Sequence, residues 1–282
     1  MLIRGCKTKN SRRLIIFDIT LMGIILALHL VVMLIAKFTL LKILPIKLEF
    51  IFYIFYGIIF GPWKGVFISI VADTFVLLIT GSIGTWYWMY ALIPPAIALF
   101  SAIYYFIFKK SKIFGFVSGL VMFIVSLTVM LIVVKSKVEP DTGLIKISKK
   151  LSFTQIFVYL MIAIYFILGA IIFTIILIKY IKYKNNKSFN YLFVFSLITI
   201  IMLIFRWTLD PLLYISWYNY YRRSSPKFRL KTVGDDYIII FIPIVIKSLI
   251  SMPFYIIVLT PVYDITAKLK AQHMAGINKI KW

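Results

Sequence analysis

Residues Gly57 to Thr80 read GIIFGPWKGVFISIVADTFVLLIT, and Gly61-Pro62 breaks this stretch into two apolar spans. Proline has no backbone N–H and pushes the residue before it out of the helical region, so one helix ends and another begins here. The break reads as a very tight hairpin at a membrane face, with Gly65 allowing close helix contact beyond it. Asp73 lies ten residues into the second span. A carboxylate at that depth is costly unless it is paired, caps another group or is wet, so Asp73 needs a partner, and an architectural role for it is expected.

Outward from this stretch the chain stays apolar. With 282 residues, 62% of them apolar, and a mean hydropathy of +1.01, there is too little polar surface to cover a soluble core of that size. The expected class is an all-α polytopic membrane protein forming a single membrane domain over residues 1–282. Taking about twenty apolar residues per crossing gives about eight spans. They are Leu14 to Ala36, Leu48 to Phe60, Trp63 to Thr80, Trp88 to Phe108, Ile113 to Val134, Phe153 to Ile178, Phe189 to Trp217 and Tyr237 to Val262. The first apolar run follows a charged segment, is too long for a signal-peptide core and lacks a small-residue cleavage site, so it is expected to stay as a first helix.

The net charge of +23 sits almost wholly between the spans. That placement fits interfacial anchoring and topology better than a nucleic-acid face, and no basic segment outside the spans is long enough to fold, so no nucleic-acid partner is expected. Of the 32 basic residues, seventeen fall on the face that holds both termini and thirteen on the other, with Arg206 and Lys247 inside the spans. This bias puts both termini in the cytoplasm of a multi-pass cell-membrane protein. The longest connections, Lys135 to Ser152 and Tyr218 to Asp236, read as external loops. A single cysteine, Cys6, excludes an internal disulfide, and His29 and His273 make no metal-ligand cluster, so no metal or cofactor is expected.

Several residues inside or beside the spans could carry function. Gly23 and Ala27, four apart, form a small-residue face that serves either a partner subunit or a neighbouring span of the same chain. The loop Gly81 to Trp88, GSIGTWYW, holds two glycines and three aromatics. It is either a membrane-belt anchor or a clamp in which Trp86 and Trp88 stack on a flat heterocycle while Tyr87 and Tyr90 supply hydroxyls. Arg206 and Asp210, four apart, can neutralise each other or meet a ligand. Lys247 has no acidic neighbour three or four positions away and needs a partner from another helix or an anionic ligand. Pro243 and Pro253 flank it and should bend its helix. Catalytic patterns such as G-x-S-x-G, H-E-x-x-H, a phosphate-binding Gly-rich loop or clustered aspartates are absent, so no catalytic residue is assigned and an enzyme is not expected.

The order Gly57-x3-Gly61-Pro62-x2-Gly65, then a helix with Asp73, then a glycine-containing loop, resembles the substrate-binding S components of energy-coupling factor vitamin transporters. Arg12-Arg13 before a helix with a small-x3-small pair is similar to that family's first helix. Ile242-Pro243, Ile246-Lys247 and Pro253 look most like the folate-specific members. The resemblance implies a six-helix core over residues 12–108 and 189–262, with residues 113–178 as an inserted transmembrane helical hairpin. Three departures stand out: eight spans in place of six, Ile244 where the folate type carries an arginine, and Gly23 and Ala27 where the family prefers alanines.

The resemblance also implies a function. Such a component binds a vitamin near the external face, docks through its first helix onto a membrane coupling subunit driven by two cytoplasmic ATPase subunits, and topples in the bilayer to deliver its ligand. Folate or a reduced folate is the expected ligand, with Lys42, Lys47, Trp86, Tyr87, Trp88, Tyr90, Arg206, Asp210 and Lys247 as binding residues and Gly23 and Ala27 as docking residues. Gly61, Pro62, Gly65 and Asp73 are expected to be structural. The alternatives are riboflavin or another vitamin as ligand, or an ion-coupled secondary transporter using Asp73 or Asp210 as its proton or cation site.

Overall fold

A computed structural model of the chain describes residues 3–39, 47–135, 144–148, 151–183, 186–223 and 229–279. The described residues are overwhelmingly helical. The helices are α1 (Ile3–Phe38), α2 (Glu49–Ile79), α3 (Trp88–Ala91), α4 (Ile93–Lys110), α5 (Lys112–Lys135), α6 (Gln155–Tyr183), α7 (Asn186–Ile201), α8 (Asp210–Arg222) and α9 (Val233–Lys279). A 3-10 turn covers Ile83–Thr85, and a π-helical segment, Met202–Leu209, joins α7 to α8. Where the sequence suggests a loop between Lys135 and Ser152, two short strands, β1 (Leu144–Ser148) and β2 (Leu151–Thr154), pair antiparallel, with Leu144 opposite Thr154. The alternating LIKIS segment, with two β-branched isoleucines, suits a strand.

Six helical stretches among the described residues are long and apolar enough to cross a membrane, as in a multi-pass membrane protein. They are Asp18–Phe38, Glu49–Ile79, Trp88–Lys110, Gln155–Lys182, Ser188–Arg222 and Ile239–Ile265. A shorter apolar stretch, Val117–Ile132, lies within α5. The chain divides into two compact units, Met1–Phe106 with Pro261–Trp282, and Ile107–Thr260.

In the first unit α2 doubles back on itself. Gly61 has φ 78° and ψ −174°, a region essentially restricted to glycine, and Pro62 then starts the second leg. In a straight helix Tyr53 and Asp73 would be about 30 Å apart at 1.5 Å per residue, yet the Tyr53 hydroxyl donates to Asp73 Oδ1 at 2.8 Å. Two glycines let the legs and their neighbour approach this closely. A Cβ on Gly65 would lie 2.6 Å from the Tyr56 carbonyl oxygen and 3.1 Å from Gly57 Cα, and one on Gly57 would collide with the Ala98 carbonyl of α4. The first leg, apolar on every side, is buried from Phe50 to Phe60, which makes it the centre of this unit.

α1 lies along this hairpin. Near one end Lys64, just past the turn, pairs with Asp18 at 2.5 Å. At the other end Lys37 donates from Nζ to the Thr80 carbonyl, where α2 stops.

In the second unit the neighbours of α7 are α5 and α6. A Cβ on Gly119 of α5 would collide with Ser196 of α7, so this contact too depends on a glycine. Phe123 and Phe173 both pack on Phe195, at 5.8 and 5.4 Å between ring centroids. Such aromatic contacts favour tilted and edge-on geometries.

Candidate functional site

The aromatic loop grows out of the end of α2. Thr80 closes the helix, and Gly81 turns the chain with φ 65°, a conformation glycine adopts at no steric cost. The last carbonyls of a helix have no partner within it, and Lys37 supplies one to Thr80. Beyond the 3-10 turn, Trp86 (φ −60°, ψ 132°) and Tyr87 (φ −139°, ψ 125°) are extended. Extended backbone sends successive side chains to opposite sides. Accordingly Tyr87 is buried while Trp86 and Trp88 are exposed. The Tyr87 ring lies 6.3 Å from Trp88 and 6.5 Å from Tyr90, and its hydroxyl donates to Met89 Sδ at 3.4 Å. This loop offers two exposed indole faces seated on a buried tyrosine.

Of the cations expected beside it, Lys47 has its Nζ 5.8 Å from the Phe50 ring, and Lys42 lies outside the described residues.

Beneath the loop, within the hairpin, is a buried polar cluster. His29 of α1 is fully buried, with Nδ1 hydrogen-bonded to the Tyr56 hydroxyl at 3.0 Å. Its ring stacks on Phe52 at 4.2 Å and meets Tyr53 edge-on at 5.7 Å. Tyr53 in turn donates to Asp73. His29 Nε2 has no hydrogen-bond partner among the described residues. An imidazole, two phenols and a carboxylate in one apolar setting form a group that can hold or pass a proton.

In the second unit Arg206 and Asp210 are both buried, with Nη1 donating to Oδ2 at 2.5 Å. The backbone around them has a local cause. Pro211 has no N–H for the Trp207 carbonyl four residues back, and its ring would clash with that carbonyl in an α-helix. The chain widens to π-helix over Met202–Leu209, where the Asp210 N–H reaches the Phe205 carbonyl and the Thr208 hydroxyl donates to the Leu203 carbonyl. The Trp207 carbonyl accepts instead from Tyr237 at 3.1 Å. Short π-helical insertions of this kind occur often at functional sites.

Lys247 is exposed on α9. No ion pair involves it among the described residues, so the helix partner that its sequence setting calls for is not supplied there.

Gly23 and Ala27 are both exposed on α1. A Cβ on Gly23 would meet nothing within 4 Å, so this glycine is not there to fit another helix of the described chain.

The structure thus gathers Trp86, Tyr87, Trp88 and Tyr90 in one loop of the first unit and pairs Arg206 with Asp210 in the second. Three residues with a functional position escape the sequence: Lys37, His29 and Tyr53. The spacing of Tyr53 and Tyr56 on one leg, opposite Asp73 on the other, is the signal that could have found the buried cluster once the hairpin was drawn. No family model, curated protein or solved structure matches the chain.

Proposed function

We propose that the chain is the substrate-binding S component of an energy-coupling factor vitamin importer, taking folate or a reduced folate from outside the cell. The observation that carries this is the α2 hairpin. Each glycine of Gly57-x3-Gly61-Pro62-x2-Gly65 has its own steric task, with Gly61 making the turn, Gly65 meeting the first leg and Gly57 meeting α4. The resemblance to S components rests on this same pattern.

The aromatic loop supports a flat ligand. Trp86 and Trp88 present exposed indoles on which a pterin stacks, and cations meet the glutamyl carboxylates. Lys47 and Lys42 are the first-unit cations assigned to that task. In the second unit Arg206 keeps further guanidinium donors besides the one on Asp210, and Lys247 is an exposed cation.

The exposed Gly23 and Ala27 on α1 support docking onto a membrane coupling subunit, with two ATPase subunits providing the energy. We count the two legs of α2 as separate crossings and α5 as another. That gives eight crossings in the cell membrane, both termini in the cytoplasm, and residues 113–178 as a hairpin added to a six-helix core. The chain is then a binding component and not an enzyme.

Binding to the purified chain tests the ligand. Folate is expected to bind at micromolar concentration or below. Binding of riboflavin with no binding of folate would move the chain to the flavin branch, and binding of neither would remove the vitamin assignment. Co-purification with a membrane subunit and ATPases tests the assembly.

A second function is favoured by one observation, the buried cluster of His29, Tyr53, Tyr56 and Asp73 with its unpartnered His29 Nε2. Such a cluster suits an ion-coupled secondary transporter. Vesicles separate the two: uptake by the chain alone on an ion gradient identifies the secondary transporter, and uptake that requires partner subunits and ATP identifies the S component.

A further inference from the structure

The second unit contains a cavity of about 400 Å³, within the range of roughly 300–1,000 Å³ typical of ligand sites. Its walls come from α5, α6, α7, the π-helical segment and α9. It is long rather than round. Its lining runs from Tyr191 to Trp207, about 24 Å of helix, and from Tyr165 to Ile176, about 16 Å, at 1.5 Å per residue.

Its hydroxyls are already engaged. Ser126 donates to the Phe123 carbonyl at 2.7 Å and Thr199 to the Phe195 carbonyl at 2.9 Å, while Tyr165 faces Met252 Sδ, a weak acceptor, at 3.6 Å. Trp207 differs from these. It lines the cavity, it is 1% exposed, and its Nε1 has no hydrogen-bond partner among the described residues. An indole N–H can only donate, and a buried donor without an acceptor is both costly and rare. Water does not answer the need, since a buried water requires two to four polar partners and this lining offers few.

We propose that this cavity holds an acyl chain of a bilayer lipid, whose ester carbonyl accepts the hydrogen bond from Trp207 Nε1. Two observations select that occupant. Leu168, Ile172 and Ile257 line the cavity and are themselves 54%, 53% and 67% exposed, so its rim lies on the apolar outer face of membrane-spanning helices. Hydrocarbon is what surrounds that face.

The second observation is the depth of the donor. Trp207 is held by Tyr237 and packs edge-on against Phe241 at 6.2 Å, which puts it level with the beginning of the Ile239–Ile265 span. Ester carbonyls lie at such a boundary, and the rest of the cavity extends inward past Met252 to Ile256. A folate or flavin, with many polar atoms, finds a single unengaged donor here. The lipid site is therefore separate from vitamin binding and does not depend on it.

The test uses the full chain in phosphatidylglycerol vesicles carrying a trace of phospholipid with a photoactivatable diazirine on its acyl chain. Saturable labelling is expected at cavity residues such as Phe123, Met252 and Ile256. Trp207→Phe, which keeps the ring and removes the donor, should weaken saturation roughly three- to tenfold, the worth of one hydrogen bond. An ether-linked analogue without the carbonyl should bind the unaltered chain more weakly by a similar factor, so the proposal can be judged even if the variant does not fold. Even labelling along the outer face of α6, at Ile164, Ile167 and Ile171, would overturn the proposal. So would equal binding of ester and ether lipids, or displacement of the label by an isoprenoid quinone with no saturable phospholipid binding.

Discussion

Tyr53 donates its hydroxyl to Asp73 across the turn at Gly61, with 2.8 Å between the oxygens. The carboxylate at the heart of the α2 hairpin is therefore answered from within the same hairpin. Tyr53→Phe leaves a buried acceptor without its donor and should cost about 1–3 kcal/mol. A lowered unfolding temperature in detergent checks it. Asp73→Asn keeps an acceptor oxygen for Tyr53 and should lose less, with ligand affinity moving less than stability. A large loss of transport by Asp73→Asn with unchanged stability would favour the ion-coupled function.

The three glycines of the hairpin should rank by what their neighbours can yield. Gly61→Ala forces a side chain into φ 78°, ψ −174°, at about 1–3 kcal/mol. Gly57→Ala meets the Ala98 carbonyl, a backbone atom that no rotamer moves aside, and should be at least as damaging. Gly23→Ala meets nothing and should leave the isolated chain as stable as before. A bulkier Gly23→Leu should reduce only the yield of co-purified coupling subunit. Expression yield and thermal unfolding check the first three, and pull-down checks the fourth.

The loop at Gly81 should respond by alternation. Trp86→Ala and Trp88→Ala remove exposed stacking faces, each worth about 0.5–1.5 kcal/mol, or roughly two- to twelvefold in Kd. Tyr87→Ala removes a buried support and should lower stability as well as affinity. Titration of the purified chain with folate, read beside its unfolding temperature, separates the two effects.

Arg206 and Asp210 are expected to behave as a unit. Removing either alone strands the other charge in a buried site, at about 3–5 kcal/mol, while replacing both with apolar residues of similar size should be close to neutral or stabilising. Stability measured for Arg206→Met, Asp210→Leu and the double variant checks this. A stable double variant that no longer binds folate would assign the pair to the ligand.

What the sequence reveals follows from how local each cause is. The turn at Gly61 is legible because Gly-Pro acts on its own backbone, and the need of Asp73 for a partner is legible because it arises from one charge in an apolar run. The partner itself is not legible, since Tyr53 reaches Asp73 only once the two legs are in register. Spans taken as Leu48 to Phe60 and Trp63 to Thr80 are the two legs of α2, one helical stretch folded at a single residue. The π-helical segment has a local cause in Pro211, yet its consequence, a Trp207 carbonyl handed to Tyr237, depends on α9. The cavity beside Trp207 has no sequence signal at all, because a void belongs to the packing of five elements and to none of them singly. Lys247, which the sequence marks as needing a partner, is exposed.

The first leg of α2, residues 49–60, is about 18 Å long at 1.5 Å per residue, against a hydrocarbon core of about 30 Å. Alone it is too short to be retained as a spanning segment during synthesis. Insertion of this part of the chain must therefore wait until the ribosome has delivered the second leg, so that both enter together as a preformed pair. Gly61 thereby sets the order of events at the membrane, since the turn it makes has to close before the leg preceding it has anywhere stable to go.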